Sequence, residues 1–361
     1  MQLLLPTRRF WRVRVGICSR LASVKMPMAL LLGALPIALV MSYGDVIWGQ
    51  TSTAIIGHPP VFIAIELHPS GFDTSEAAGI SGDQEVGNAE VQFPMGPNHA
   101  MLWRSTAESV VDLTPPEASW AFAYATCGDQ QVGTAQLGGM GGEIHALLWH
   151  GSAASVVDLH PRGFVSSGAS GTSGGTEVGS GYLGGSGGPA HALLWRGSAA
   201  SVVDLHPGGF IFSDALGTSG DEQVGRGIPI GGSLETDNDP GTYHALSWHG
   251  SAASVVDLHP HGFTSSFASG VSGGEQVGWG IISPTTHIRH ALLWRGTAGS
   301  FVDLHMYLPP QFVSSAAFSI DAAGDIVGVA AGSNISLSHA ILWKRNGPRP
   351  GASRGQKASG C

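Results

Sequence analysis

The sequence predicts an all-β protein whose body is a six-bladed β-propeller, closed by pairing of its N-terminal and C-terminal strands. Three observations predict this fold. A pattern of four short segments recurs along the chain after residue 60, each segment has the length and composition of a strand, and the first and last copies are incomplete in complementary ways. Four strands in a repeat of 46 residues are typical of a propeller blade.

The repeat is defined by residues at fixed spacing. A His-Ala-x-x-Trp segment begins at His99, His145, His191, His244, His290 and His339, at intervals of 46, 46, 53, 46 and 49 residues. Thirteen residues after each of the first five histidines stands an aspartate, namely Asp112, Asp158, Asp204, Asp257 and Asp303. A Val-Gly pair and a segment of small residues precede each histidine. Such constant spacing indicates one structural unit repeated along the chain.

The segments have the character of short strands. Ala192–Trp195 and Ser155–Leu159 are apolar runs too short for helices, and Gly-Ser or Ser-Gly-Gly turns bound such runs. No apolar period of 3.6 residues persists through two turns after Thr51. The body is therefore predicted to contain only β-strands.

The two ends of the repeat region complement each other. Val61–His68 matches the fourth segment, with Glu66 in place of aspartate, and Glu66 precedes Asp112 by the same 46 residues. The last copy, His339–Trp343, has no fourth segment after it. We expect Val61–His68 to lie beside Ala340–Trp343, so that the ring has no open sheet edge.

The recurring Val-Gly and His-Ala-x-x-Trp segments resemble the bacterial extracellular HAF-repeat family, over roughly Val61–Trp343. The chain has Met, Leu, Ser or Ile where that family has Phe, and Asp-Leu-His-Pro where it often has Asp-Leu-Gly. It is similar to a divergent member. The resemblance implies export and a propeller-like repeat, and it brings no agreed biochemical activity.

Composition excludes several classes of protein. The 361 residues include 54 glycines, 12% charged and 43% hydrophobic residues, which is too apolar for a disordered chain. Cys18, Cys127 and Cys361 are too few and too widely spaced for a disulfide framework or a thiolate zinc site, and we expect neither crosslink. Residues 51–343 carry 6 arginines against 25 acidic residues, so we expect no nucleic-acid binding.

The N-terminal segment has the order of a secretory signal, because six basic residues precede the apolar stretch Met26–Ser42. We assign residues 1–44 to a signal peptide or, alternatively, an uncleaved N-terminal anchor. Residues 45–60 form a linker, 61–345 the propeller and 346–361 a basic flexible tail. The protein is then secreted or periplasmic; in the alternative it is membrane-anchored, faces outward and contacts the membrane only through the uncleaved segment.

The repeated histidines and acidic residues are interpreted as structural. Residues that recur in every blade are spread around a ring and lie too far apart to share one metal ion. We expect a His–Asp hydrogen bond between adjacent strands to fix their register, with His145 near Asp158 and His160. We predict no cofactor and no catalytic residue, because no Gly-x-Ser-x-Gly elbow that follows a strand and leads into a helix is evident. Glu235, Asp237 and Asp239, in the longest insertion, are a weak calcium candidate without EF-hand spacing.

Function is expected where the repeats differ, in the loops. We interpret the protein as an exported monomeric binding or scaffold module for a protein or glycan outside the cytoplasm. The alternative is an enzyme, a glycan hydrolase or lyase with paired carboxylates at the central channel. Asymmetric polar groups in the channel would favour the enzyme, and equivalent residues throughout would favour binding. A third possibility is a spacer in a surface layer.

Overall fold

The computed structural model describes residues 65–92, 96–184, 189–233, 241–283, 285, 287–332 and 338–346. The chain divides into two units, Met1–Val61 and Phe62–Cys361, and all described residues belong to the second. The predicted signal peptide and linker, and residues 347–361 of the tail, lie outside the described residues. Cys127 is bonded in a disulfide, so the expectation that the chain forms no such crosslink is wrong.

The described residues form six antiparallel sheets, which we number blades 1 to 6 in chain order. Blade 1 contains β1 Thr74–Ser81, β2 Gln84–Glu90, β3 Asn98–Trp103 and β4 Val111–Asp112. Blade 2 contains β5 Ala118–Cys127, β6 Gln130–Leu137, β7 Ile144–Trp149 and β8 Val157–Asp158. Blade 3 contains β9 Ser166–Ser173, β10 Thr176–Tyr182, β11 Ala190–Trp195 and β12 Val203–Asp204.

Blade 4 contains β13 Phe210–Ser219, β14 Glu222–Pro229, β15 His244–Trp248 and β16 Val256–Asp257. Blade 5 contains β17 Ser265–Ser272, β18 Glu275–Ile281, β19 Arg289–Trp294 and β20 Val302–Asp303. Blade 6 contains β21 Ser314–Ile320, β22 Ile326–Ala331 and β23 Ser338–Trp343. Short 3-10 helices occur at Ala107–Ser109, Ala153–Ser155, Ala199–Ser201, Ala252–Ser254, Ala298–Ser300 and Leu304–Tyr307.

The sheets are arranged as the blades of a propeller, which confirms the predicted fold class. Each sheet packs against the next one along the chain, and the first strands of consecutive blades contact one another at the centre. The short fourth strands lie at the outside. Within the part of the chain that the structure describes, no helix has the length and apolar character needed to span a membrane.

The strand order places the connections at two ends. Because neighbouring strands are antiparallel and follow chain order, the connections between second and third strands lie at the same end as the crossovers to the next blade. We call this end the upper face. The turns between first and second strands, and those between third and fourth strands, lie at the opposite end, the lower face.

The core lies between consecutive blades. Leu148 of blade 2 and Trp195 of blade 3 belong to one buried cluster, and the same arrangement recurs at the following junctions. The Val-Gly pairs have a steric reason: a Cβ at Gly179 would overlap the carbonyl oxygen of Gly168 on the first strand. The recurring valine and tryptophan therefore fill the core, and the recurring glycine allows two strands to approach.

The predicted closure is not confirmed. No described strand pairs with the free edge of β23, Ile65–Pro69 is not a strand, and residues 61–64 lie outside the described residues. Leu342 is 55% exposed, whereas its counterpart Leu148 is 1% exposed. One face of blade 6 is thus left without the cover that the other blades receive, and pairing of Val61–His68 with this edge stays a prediction.

The end of this segment and the residues after it have the conformation of the crossovers between blades. His68 contacts the hydroxyl of Ser75 at 2.9 Å and the carbonyl of Phe72 at 3.1 Å. His160, in the crossover from blade 2 to blade 3, contacts Ser167 and Phe164 in the same way at 2.8 and 3.1 Å. Residues 68–75 therefore fold as a crossover that enters blade 1.

A pair of cysteines tests this closure. In blade 2, Leu148 lies opposite Val157, and the counterparts in blade 6 are Leu342 and Ile65. Oxidation of the double variant Ile65→Cys, Leu342→Cys should join the two cysteines within one chain, because paired strands bring Cβ atoms within disulfide reach. Peptide mapping by mass spectrometry measures the crosslink.

The matched control pairs Leu342→Cys with Ile230→Cys, an exposed position in blade 4. A yield for the Ile65 pair no higher than for this control would contradict closure by the N-terminal strand.

Candidate functional site

The predicted His–Asp hydrogen bond is present in blades 1 to 5. Nδ1 of His145 donates to Oδ2 of Asp158 at 2.8 Å. The other four bonds, each 2.7 Å long, join His99 to Asp112, His191 to Asp204, His244 to Asp257 and His290 to Asp303. Each bond ties the start of a third strand to the end of the fourth. The pairing therefore fixes the register of a fourth strand that is two residues long.

The sixth pair is not formed. His339 and Glu66 both lie in the described part of the chain, and no hydrogen bond joins them there. His339 packs edge-on against Phe312, with ring centroids 5.4 Å apart. The predicted structural role of Glu66 depends on pairing of Val61–His68 with the edge of β23, and both stay predictions.

A second histidine lies in each of the four crossovers that lead from blade 2 to blade 3, from 3 to 4, from 4 to 5 and from 5 to 6. The ring of His160 stacks on that of His145, with centroids 4.2 Å apart and 14° between the planes. Equivalent stacks at 3.9 to 4.1 Å join His191 to His206, His244 to His259 and His290 to His305. In blade 1, Thr114 replaces the second histidine. We call each assembly of two histidines, the aspartate and a serine a crossover joint.

The serine, which the sequence analysis missed, links the joint to the next blade. Ser167, on the first strand of blade 3, accepts a hydrogen bond from the backbone N–H of Ala146 in blade 2 at 2.9 Å. Its hydroxyl also contacts Nδ1 of His160 at 2.8 Å. Ser213, Ser266 and Ser315 make the same contacts at the following joints. Each joint therefore connects two blades.

The partners of His160 determine its protonation. Its Nε2 lies 3.1 Å from the carbonyl oxygen of Phe164, which can only accept, so Nε2 carries the proton. Nδ1 then accepts from the Ser167 hydroxyl. Burial lowers the pKa of His160, and the charge of the stacked His145 lowers it further. Burial likewise lowers the pKa of His259, to about 4. The second histidine of the joint is therefore neutral near pH 7.

One joint includes a carboxylate that could belong to a metal site. Ligand atoms of Glu143, His145 and His160 lie within 4.8 Å of one another. However, the two imidazole rings are nearly parallel, so their in-plane lone pairs do not converge, and both nitrogens of His160 already have partners. We assign these histidines to the joint. The calcium candidate Glu235, Asp237 and Asp239 lies outside the described residues.

The lower face has its own repeated contact, which the sequence analysis also missed. Oε1 of Gln131 accepts from the backbone N–H of Gly151 at 2.7 Å, and Oε2 of Glu177 accepts from Gly197 at 2.8 Å. Glu85, Gln223 and Gln276 do the same in their blades. The signal was present, because Gln or Glu precedes the Val-Gly pair in five repeats. These residues anchor the turn after the tryptophan.

Blade 4 departs from the repeat at its centre. Asp214 on the first strand lies opposite Arg226 on the second, with 3.6 Å between Oδ2 and Nη2. At the corresponding positions, blade 2 has Phe122 opposite Thr134 and blade 5 has Phe267 opposite Trp279. Oδ1 of Asp214 and Nε of Arg226 are buried and have no hydrogen-bond partner in the described part of the chain. The repeat does not require this ion pair, which makes it the candidate functional site.

Aromatic rings surround the guanidinium group. Its central carbon lies 4.8 Å from the ring centroid of Tyr243, 5.4 Å from Phe267 and 5.8 Å from Phe212. Phe267 also stacks on Trp279 at 5.0 Å. Cation–π contact with three rings holds Arg226 in place. The side chains come from blades 4 and 5, so the cluster spans a junction.

The local environment shifts the pKa of two groups in this cluster. Burial raises the pKa of Asp214, while the charge of Arg226 and the Ser180 side chain oppose the rise. Burial also raises the pKa of Tyr182, and the charge of Asp214 adds to the effect. No second carboxylate of the described residues acts on Asp214. Among the described residues, no partner for the carboxylate pair of a glycosidase therefore acts on Asp214.

Sequence reasoning missed this pair because two isolated charges twelve residues apart show no motif. The register of β13 with β14 was needed to place them opposite each other. Alignment of the repeats would have provided a signal, since only in blade 4 do an acid and a base stand at these two positions.

No protein-family model matches the chain, and no curated protein matches it. Solved structures do resemble it. The β-propeller domain of the Trilobed protease from Pyrococcus furiosus gives a TM-score of 0.46 at 9% identity, covering 76% of this chain and 84% of that one. A puromycin hydrolase gives a TM-score of 0.46 at 11% identity, and the match covers 75% of this chain and 52% of that one. TolB from Acinetobacter baumannii gives a TM-score of 0.40 at 11% identity, and the match covers 74% of this chain and 66% of that one. Likeness at this level carries no argument about function.

Loss of the aspartate in a joint should lower stability. The variants Asp158→Ala and Asp204→Ala each leave a histidine Nδ1–H without its partner, and we expect the free energy of unfolding to fall by about 1 kcal/mol per site. Thermal unfolding measures the change. Asp221→Ala, in an exposed lower-face turn, is the control. An unchanged melting temperature in both joint variants would count against a structural role.

The joints also predict the pH dependence of stability. The pKa of His259 is about 4 in the folded protein and near 6.5 when unfolded, so the unfolded chain takes up a proton first. The free energy of unfolding should be constant above pH 6.5 and fall as the pH drops from 6.5 to 4. Denaturant titration across this range should show a shallower slope for His259→Gln. The exposed His249→Gln is the control; equal slopes in all three proteins would contradict the account.

Proposed function

We propose that this protein is an exported β-propeller that binds a ligand outside the cytoplasm, through the upper face of blades 3 to 5. The proposal rests on one observation above all. The inner strands repeat the same construction around the propeller, and the charged pair Asp214–Arg226 interrupts it in blade 4. An ion pair on the inner strands that is not needed by the repeat is best explained by a ligand.

Variation between the repeats supports the choice of face. The connection from second to third strand is six or seven residues long in the other blades but spans residues 230–243 in blade 4. Turns between first and second strands, on the lower face, are two residues long in blades 1 to 5. Shared residues build a scaffold, and connections of varying length carry specificity. The longest connection begins directly after β14, the strand that carries Arg226.

Export is supported by the order of the N-terminal residues, a basic stretch followed by Met26–Ser42. The acidic body disfavours binding to nucleic acids, which bears on the class of ligand. An extracytoplasmic binding module is consistent with both features.

The enzyme alternative has one observation in its favour, the raised pKa of Asp214. A carboxyl group with a raised pKa suits a general acid. Hydrolysis of a glycosidic bond ordinarily needs a second carboxylate, and none of the described residues supplies one beside Asp214. We therefore place binding ahead of catalysis.

A deletion tests the proposed face. The secreted protein should bind a member of a glycan, metal and protein panel, and removal of residues 234–240 should abolish that binding while the melting temperature is retained. Removal of residues 185–188, the corresponding connection of blade 3, is the control. Binding that survives the first deletion, or is lost equally in both, would contradict the assignment to blade 4.

A further inference from the structure

We infer that the cluster of Asp214, Arg226, Tyr182 and Tyr243 is a binding site for an uncharged saccharide. This inference rests on the proposed function and adds to it the chemical class of the ligand. Four properties of the cluster support it: free hydrogen-bonding capacity, balanced charge, aromatic walls and its position.

The cluster has hydrogen-bonding capacity that the described residues do not use. Oδ1 of Asp214 and Nε of Arg226 are buried and have no hydrogen-bond partner among the residues that the structure describes. The hydroxyl of Tyr182 lies close enough to Asp214 for that charge to raise its pKa, although neither tyrosine hydroxyl is one of these buried atoms without a partner. Buried polar groups without partners cost free energy, so such a concentration calls for a ligand or water that provides both donors and acceptors. Sugar hydroxyl groups provide both.

The balance of charge argues against an ionic ligand. Arg226 and Asp214 are 3.6 Å apart, so each offsets the field of the other. An anion near Arg226 would be repelled by Asp214, and a cation near Asp214 would be repelled by Arg226. A neutral ligand avoids both penalties and can donate to the carboxylate while it accepts from the guanidinium.

Aromatic side chains line the cluster, but Tyr243 and Phe267 are buried, with 6% and 4% of their surface exposed, so the partly buried Phe212 offers the ring whose face a sugar could contact. Tyr243 and Phe267 lie 5.1 Å apart at 37°, and Phe212 meets Tyr243 edge-on at 5.9 Å. Binding sites for small molecules combine such walls with a few polar groups that fix orientation. A pyranose has the same combination of C–H faces and equatorial hydroxyl groups.

The cluster is partly exposed to solvent. The side chain of Arg226 is 27% exposed and that of Asp214 is 13% exposed. Tyr243 immediately precedes β15, and Tyr182 is the last residue of β10, so both stand at the upper ends of their strands. A ligand bound at these strand ends would lie near Tyr243, where the long connection of blade 4 returns to β15.

Binding measurements on matched variants test the inference. We would screen the secreted protein against neutral, sialylated and uronic-acid oligosaccharides and measure each hit by calorimetry. Asp214→Asn retains the shape of the side chain and removes its charge. Tyr182→Phe removes only a hydroxyl. Glu76→Gln makes the same charge change at the corresponding position of blade 1 and is the control.

We expect a neutral oligosaccharide to bind, with affinity reduced at least tenfold by Asp214→Asn and measurably by Tyr182→Phe, and unchanged by Glu76→Gln. If Asp214→Asn does not fold, as judged by circular dichroism, Tyr182→Phe alone decides. A neutral saccharide whose affinity is unaffected by these variants would overturn the site. Preference for charged oligosaccharides, or no saccharide binding at all, would overturn the ligand class. A separate result would contradict the proposed function: removal of residues 234–240 would change the binding of no member of the panel.

Discussion

The crossover joint is the interaction on which the rest of the structure depends. Asp158 accepts a hydrogen bond from Nδ1 of His145, His160 stacks on that ring, and Ser167 connects the second histidine to the next blade. A fourth strand of two residues has too little ladder to hold its own register. Side-chain hydrogen bonds supply what the backbone lacks, and at four junctions a serine of the next blade joins them.

The joint also gives the recurring histidines a structural role. In each pair, Nδ1 of the first histidine donates to an aspartate and Nδ1 of the second accepts from a serine, as in His145 and His160. Burial, together with the charge of the stacked ring, lowers the pKa of the second histidine and keeps it neutral. Against this regular background, Asp214 and Arg226 are energetically unfavourable, since a partly satisfied ion pair contributes little to stability. Their presence at the centre of blade 4 is therefore the feature that points to function.

Much of the architecture could be predicted from residue spacing. The constant interval between His145 and Asp158 predicted their hydrogen bond, and the short apolar segments predicted four strands per blade. Ser167 could not be found in this way, because a serine in a serine-rich segment carries no distinct signal. The Asp214–Arg226 pair needed the strand register, and the disulfide at Cys127 contradicts an argument from composition. Residue spacing thus predicted the scaffold, whereas the candidate site could be recognised only once the structure showed which residues are neighbours in space.

The most direct test of the account is the tautomeric state of the histidines, measured by long-range ¹H–¹⁵N correlation on the intact protein at pH 7. The joint predicts two classes: the proton on Nδ1 in His145 and its counterparts that face aspartates, and on Nε2 in His160 and its counterparts that face serines. Selective substitution assigns each signal. A single class with the proton on Nε2 throughout, or charged imidazoles in the second position, would contradict the joint and the architecture built on it.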